Sequence, residues 1–209
     1  MKFKLNSLFE QGGKMRILWR LFVLLFLGST LIFSGSIENP QINIKTELGD
    51  ITVEIYQEAA PITASNFLRY VDESRFKDSC FYRVVRMDNQ PDNEIKIEVI
   101  QGGLRNISMD KMLPPIAHET TEKTGIFHKD GVISMARSEP GTATSEFFIC
   151  IGDQPELDFG GKRNPDGQGF SSFGKVISGM DVVRKIHQHP TEGQILVPKV
   201  KIFDIVRAK

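Results

Sequence analysis

Three short apolar segments of the 209-residue chain each contain a residue able to hold or polarise another molecule. Arg83 lies in the run FYRVV, Gln101 in VIQGG and Phe148 in SEFFICI. An arginine in an apolar, strand-like run is either a surface residue on the outer face or a fixed hydrogen-bond donor with a functional role. Together the three residues favour the second interpretation, a site that combines a cation, an amide and an aromatic ring.

The usual signatures of covalent, nucleotide-dependent and metal-dependent catalysis do not occur in the sequence. It contains no G-x-S-x-G elbow, no P-loop, no H-E-x-x-H and no Cys/His cluster with metal-ligand spacing. We therefore expect a site without a metal, nucleotide or organic cofactor.

In this order and spacing, the three segments resemble the cyclophilin family of peptidyl-prolyl cis-trans isomerases, in a bacterial, exported form. The resemblance covers most of residues 42–209. Other matching segments are LGDITVEIY, APITASNFLRYV, GVISMAR, SSFGKVISGMDVV and the final strand. Each segment alone is a weak signal, whereas their combination identifies the family.

The resemblance implies an enzyme that accelerates rotation about X-Pro bonds, with Pro-containing polypeptides as partners. Rotation needs no nucleophile and no proton abstraction, because the obstacle is amide resonance with a barrier of ~18–20 kcal/mol. A guanidinium that donates to the prolyl nitrogen as this atom becomes pyramidal stabilises the twisted state more than the planar one.

The family pattern assigns both catalytic and substrate-binding residues in this sequence. Arg83 matches the catalytic arginine, Gln101 the glutamine that hydrogen-bonds the substrate backbone, and Phe148 the floor of the proline pocket. The residues expected to bind the substrate are Val99, Leu157 and Phe170 in the pocket, and Ala136 and Arg137 through a backbone edge that pairs with the substrate. The apolar residues alone would be ordinary core residues, so only a shared concave face makes them a site.

Departures from the family pattern leave other functions open. Glu98 stands where the family often has an aromatic residue, and Val99 stands where many members have methionine. Such a pocket favours a second candidate, a catalytically weak proline-binding chaperone or scaffold of the same fold. A third candidate, a purely structural or interaction domain, requires Arg83 to be incidental. Residues 86–98 form a longer segment than in compact members, and we expect them to lie beside the pocket.

Alternating apolar residues predict that strands dominate the chain from residue 41 onward. Predicted strands cover residues 42–46, 51–55, 80–85, 95–100, 132–136, 147–151 and 200–206. Two helices are predicted. The first begins at Pro61, and the second covers residues 180–187. This pattern predicts a β-barrel or sandwich with two covering helices, because closure removes exposed strand edges. The resemblance specifies a mainly β fold, a closed eight-stranded antiparallel β-barrel capped by two α-helices.

Residues 1–36 have the composition of a signal peptide or signal anchor, and residues 41–209 form the predicted isomerase domain. Residues 21–33 carry no charge, Arg16 and Arg20 precede them, and small residues follow. Residues 17–37 are long enough for an uncleaved anchor if Arg20 extends to the membrane interface. We expect an exported, periplasmic or otherwise extracytoplasmic protein that contacts the membrane only if this segment is retained. Met1 and Met15 both remain possible starts.

The overall composition predicts one folded domain and gives no reason to expect nucleic acid as a partner. Lys and Arg together number 26, as do Asp and Glu, so the chain has no net field that attracts a polyanion. A monomer is the default expectation. Cys80 and Cys150 lie in apolar runs, where we expect buried free thiols rather than a disulfide.

Overall fold

The computed structural model describes residues 38–105 and 109–208, and its secondary structure belongs to the unit formed by residues 39–209. The strands are β1 (Gln41–Thr46), β2 (Gly49–Ile55), β3 (Cys80–Val85), β4 (Val99–Gly103), β5 (Val132–Met135), β6 (Phe147–Cys150), β7 (Ser171–Ser178), β8 (Thr191–Glu192) and β9 (Ile195–Arg207). The helices are α1 (Pro61–Asp72), α2 (Thr121–Thr124) and α3 (Met180–His187), with single 3₁₀ turns at Met109–Lys111 and Pro155–Leu157.

Eight of these strands close into a barrel. Their order is β1-β2-β7-β5-β6-β4-β3-β9, neighbouring strands are antiparallel, and β9 also pairs with β1. The two-residue strand β8 is a short addition paired with β9. The predicted closed eight-stranded antiparallel barrel is therefore confirmed, and its closure gives every barrel strand two partners.

Branched and aromatic side chains fill the barrel, and the two longer helices pack on the same core. Along β1 and β2, fully buried isoleucines and valine alternate with more exposed residues. The ring of Phe67 in α1 lies 5.4 Å from that of Phe147 and 4.9 Å from that of Phe173, measured between centroids. Pro61 opens α1, where its fixed φ suits the first turn. From α3, Val183 contributes to this core.

The two predicted helices are present as α1 and α3, and the sequence pattern did not indicate the four-residue helix α2 or the strand β7 as such. Strand β9 covers Ile195–Arg207 and is longer than the predicted strand over residues 200–206.

The fourth strand begins later than the alternation predicts. The sequence predicts a strand over residues 95–100, whereas β4 covers Val99–Gly103. Strand β3 ends at Val85, which pairs with the first residue of β4. Residues 95–98 therefore have no partner in β3. A side chain bonds their backbone instead, because Nε2 of Gln90 donates to the carbonyl of Ile97 at 2.7 Å.

Both cysteines are free thiols, as predicted, and both are buried. Burial raises the pKa of each thiol. Cys80 and Cys150 therefore act as small, protonated packing groups.

The predicted leader lies outside the described residues. Of the helices within residues 38–105 and 109–208, none is long and apolar enough to cross a membrane.

Candidate active site

Arg83 of β3, Gln101 of β4 and Phe148 of β6 lie opposite one another across three neighbouring strands. Arg83 pairs with Gln101, and Gln101 pairs with Phe148. Opposed residues of antiparallel strands project from the same face, and neighbouring strands lie about 4.8 Å apart. The adjacent residues Ile100 and Phe147 belong to the barrel core. The row of three therefore lies on the outer face of the barrel.

The guanidinium of Arg83 is held by two glutamine side chains. Nη1 donates to Oε1 of Gln101 at 2.8 Å, while Nε and Nη2 donate to Oε1 of Gln194 at 3.0 and 2.6 Å. A guanidinium has five N–H groups, so two of them have no hydrogen-bond partner among the described residues. Burial lowers the pKa of Arg83, yet an arginine keeps its charge in proteins. The site thus contains a partly desolvated, oriented cation.

A chain of hydrogen bonds fixes the amide of Gln101. Its Nε2 donates to the hydroxyl of Tyr82 at 2.8 Å, and this hydroxyl donates to Oε2 of Glu146 at 2.5 Å. Glu146 also accepts from the backbone N–H of Leu104 at 2.9 Å. Burial and the charge of Glu146 raise the pKa of Tyr82, so its hydroxyl remains a donor. These bonds leave Oε1 of Gln101 facing Arg83 and one N–H of its Nε2 for another acceptor.

The predicted apolar pocket residues form a cluster of their own on the outer face. Val99, Phe148 and Leu157 are buried together, and the partly buried Ala136 and Phe170 pack against them. The rings of Phe148 and Phe170 meet edge to face with centroids 5.3 Å apart. This cluster is separate from the barrel core, so the predicted pocket residues share one surface beside the Arg83 row.

The side chain of Arg137 forms its hydrogen bonds within the protein. Both of its Nη atoms donate to the carboxylate of Asp166 at 2.8 and 2.9 Å, and its Nε donates to the carbonyl of Gly169 at 2.9 Å. Its guanidinium carbon also lies 5.3 Å from the centroid of Phe170. With 1% of its side chain exposed, Arg137 stabilises the chain that carries the pocket wall, which leaves its backbone for the predicted substrate contact.

His128 supports the pocket floor from behind, a role that the sequence pattern did not indicate. Its Nδ1 lies 2.7 Å from Oδ1 of Asp158, and its Nε2 lies 3.0 Å from Oγ of Ser134. The imidazole is buried and stacks on the ring of Phe148. His128 and Asp158 are 30 residues apart in the sequence, so no local sequence pattern indicates their contact.

Residues 86–98 connect two sides of the site. The side-chain amide of Asn89 donates to the carbonyl of Gly193 at 3.1 Å, next to the residue that binds Arg83. Near the other end, Nη1 of Arg163 donates to the carbonyl of Ile95 at 2.5 Å. This segment is thus fixed to both neighbouring parts of the chain by specific hydrogen bonds.

The carboxylate of Glu98 is directed at a histidine. Its Oε1 lies 3.9 Å from Nε2 of His187, and 32% of the Glu98 side chain is exposed. The same imidazole nitrogen lies 3.1 Å from the carbonyl of Val85. Glu98, which stands where the family often has an aromatic residue, therefore lies beside His187 at this edge of the site.

Comparison with known proteins places the chain in a class. Residues 41–207 match the family described as cyclophilin type peptidyl-prolyl cis-trans isomerase/CLD. This match spans most of the sequence, and the chain belongs to the cyclophilin-type peptidyl-prolyl cis-trans isomerase family. The predicted isomerase function is confirmed at the level of the family, and the roles of individual residues stay predictions.

Particular relatives extend the similarity over nearly the whole chain. A peptidyl-prolyl cis-trans isomerase of Acinetobacter baylyi is 36% identical over 189 residues, which cover 88% of this chain and 93% of the relative. Peptidyl-prolyl cis-trans isomerase B of Escherichia coli is 32% identical over 174 residues, covering 78% of this chain and 99% of the relative.

A solved structure supports the fold. The cyclophilin type peptidyl-prolyl cis-trans isomerase of Cryptosporidium parvum, crystallised in the presence of the dipeptide Ala-Pro, superposes with a TM-score of 0.66 at 21% identity. The superposition covers 81% of this chain and 99% of that protein.

Proposed function

We propose that this protein catalyses cis-trans rotation about X-Pro bonds with Arg83 as its electrostatic element. The observation that carries the proposal is the row across β3, β4 and β6, in which an oriented guanidinium and an aromatic ring flank Gln101. The two N–H groups of Arg83 without a partner among the described residues are the donors that the reaction requires.

In the proposed mechanism the apolar cluster around Phe148 holds the proline ring. Arg83 then donates to the prolyl nitrogen, whose lone pair becomes available only as the amide twists and loses resonance. Because this interaction is stronger in the twisted state than in the planar one, it lowers the barrier to rotation. The remaining N–H of Gln101 donates to a backbone carbonyl of the substrate and limits the motion of the peptide.

Partial burial of Arg83 strengthens this effect. A charge interacts more strongly where the effective dielectric is low, and a donor that is already oriented needs no reorganisation during the reaction. The pair of glutamines holds the guanidinium in place through neutral acceptors, so its positive charge is retained for the substrate.

A refolding assay tests this proposal. Proline-limited refolding of a substrate protein has an uncatalysed phase of roughly 10–100 s at 25 °C. The full chain should shorten this phase, and Arg83→Ala should reduce kcat/KM about a hundredfold, the effect of removing one transition-state donor. Arg69→Ala is the matched control, because Arg69 is an exposed arginine on α1 paired with Glu73.

The result also separates the isomerase from the second candidate. If the folded wild-type chain binds Pro-containing peptides without accelerating refolding, the function is that of a proline-binding chaperone or scaffold. If Arg83→Ala retains full acceleration, the proposed role of Arg83 is wrong.

The biological role that we propose is the folding of exported proteins by a monomer outside the cytoplasm. The apolar residues 21–33, preceded by Arg16 and Arg20, support export. Fractionation of cells that express the full chain, with protease added outside the cytoplasmic membrane, tests this location. A protected chain in the cytoplasmic fraction would contradict it.

A further inference from the structure

Gln194 contacts the guanidinium of Arg83 on the side opposite Gln101. One oxygen, Oε1 of Gln194, accepts from Nε at 3.0 Å and from Nη2 at 2.6 Å. Two donors on one acceptor fix both the position of the guanidinium and the rotation of its plane, which a single bond would not do. Gln194 lies 111 residues from Arg83 in the sequence and belongs to no segment that carried the family resemblance.

The orientation of the Gln194 amide is itself determined by the structure. Its Nε2 donates to the carbonyl of Asn89 at 3.1 Å, and a carbonyl can only accept. The amide oxygen must therefore face Arg83.

Asn89 is fixed in turn by the chain around it. Its Nδ2 donates to the carbonyls of Val84 and Gly193 at 3.0 and 3.1 Å, and its Oδ1 accepts from the backbone N–H of Arg86 at 2.7 Å. Residues 86–98 thus provide a rigid support for Gln194.

The chemistry of this acceptor suits the reaction. A carboxylate in the same place could accept the same two hydrogen bonds, but it could not donate to the carbonyl of Asn89, and it would neutralise the charge that has to act on the substrate. An amide oxygen accepts the same two hydrogen bonds and carries no net charge. The two N–H groups of Arg83 that remain, one on each Nη, then keep a defined direction.

We propose that Gln194 is a positioning residue for Arg83, supported by the segment of residues 86–98, and that it must be neutral. This inference rests on the proposed catalytic role of Arg83. It assigns to the segment beside the pocket a function in catalysis, in addition to any contact with the substrate.

The test measures kcat and KM of the full chain and its variants on a Pro-containing peptide. Gln194→Met retains the length of the side chain and removes the acceptor, and it should lower kcat about tenfold with KM changed less than about twofold. Gln194→Glu still accepts from Arg83, but it loses the bond to the carbonyl of Asn89 and compensates the positive charge, so it should lower kcat at least as much as Gln194→Met. Glu192→Gln, an exposed neighbour on β8, is the control and should match the wild type.

A double-mutant cycle separates a positioning role from a structural one. In the Arg83→Ala background, Gln194→Met should have no further effect on kcat, because its only route to the reaction has been removed. An equal loss in both backgrounds, or wild-type kcat for Gln194→Met and Gln194→Glu, would overturn the inference. If Arg83→Ala itself leaves kcat unchanged, the proposed function of Arg83 is wrong. If Arg83→Ala is inactive and both Gln194 variants are fully active, only the positioning role of Gln194 is wrong.

Discussion

The imidazole of His128 stacks on the ring of Phe148, with centroids 5.8 Å apart and ring planes 15° apart. Phe148 therefore packs against two rings, since it also meets the ring of Phe170 edge to face. Both ring nitrogens of His128 also lie within hydrogen-bond distance of other side chains. The predicted pocket floor thus has a hydrogen-bonded imidazole behind it, which restricts the orientation of the phenylalanine ring.

Replacing His128 by alanine should destabilise the protein and loosen the pocket. The change removes a buried ring from behind Phe148, leaves Ser134 without its imidazole partner and leaves Asp158 with only the backbone N–H of residue 128, so we expect a loss of about 2–4 kcal/mol in the free energy of unfolding. Urea unfolding measures this loss, and peptide kinetics should show a raised KM. A change below about 0.5 kcal/mol would contradict the supporting role.

Replacing Tyr82 by phenylalanine should affect activity through Gln101. The missing hydroxyl removes the acceptor for Nε2 of Gln101 and a donor to Glu146, which should cost about 1–3 kcal/mol of stability. The freed amide can rotate, so kcat should fall as well. Glu146→Gln serves as the comparison, because its amide oxygen can still accept from the Tyr82 hydroxyl while its NH2 group loses the bond from the N–H of Leu104, so it should lower stability but leave kcat closer to that of the wild type. The two variants are compared by thermal unfolding and by kcat; equal kcat values for Tyr82→Phe and the wild type would exclude this effect.

The ion pair between Asp166 and Arg137 should make stability depend on pH in the acid range. Hydrogen bonds from Arg137 and from the backbone N–H of Gln168 lower the pKa of Asp166 from its usual 3.8 to about 2. Because the folded state holds the carboxylate ionised, its contribution is fully present above pH ~4 and is lost as the pH falls towards 2.

Thermal unfolding of the wild type and Asp166→Asn across this range measures that contribution. The midpoint of the wild type should exceed that of the variant above pH ~4, and the two should converge near pH 2. A difference that is constant from pH 5 to pH 2 would show that the carboxylate charge is not involved.

Removing the side chain of Arg163 should release the segment of residues 86–98 from one of its supports. Nη1 of Arg163 donates to Oε1 of Gln90 at 3.1 Å and to the carbonyl of Ile95 at 2.5 Å. In Arg163→Ala the carbonyl of Ile95 loses this donor and Oε1 of Gln90 keeps only the longer bond from the N–H of Ile97 at 3.4 Å, so amide hydrogen exchange in residues 90–97 should become faster while exchange in β6 is unchanged. Lys162→Ala, an exposed neighbour, is the control. Identical exchange in both variants would contradict this role of Arg163.

Local sequence patterns were sufficient to predict most helices and strands, and the family motifs were sufficient to find the three residues of the row across β3, β4 and β6. Period-two alternation predicted β1 and β2, a continuous apolar run predicted β6, and Pro61 marked the start of α1, because these signals depend on near neighbours. The family motifs then identified Arg83, Gln101 and Phe148. The structure places them in register on adjacent strands, as a common site requires.

The alternation failed at residues 95–98 because it reports which side of a chain is buried, not what the backbone pairs with. Ile97 is buried, as the pattern implies, but β3 has already ended at Val85. Whether a buried, alternating segment becomes a strand depends on a partner strand that is remote in the sequence.

The sequence by itself determined the family, the barrel and the cation that we propose acts on the substrate. Only the tertiary structure decided how this cation and the ring of Phe148 are held, because Gln194 and His128 reach them from other parts of the chain and carry no local signal. Their contacts arise when barrel closure brings together segments separated by as many as 111 residues. An orienting hydrogen bond depends on distance and direction in space, and neither quantity is encoded in the spacing of residues along the chain.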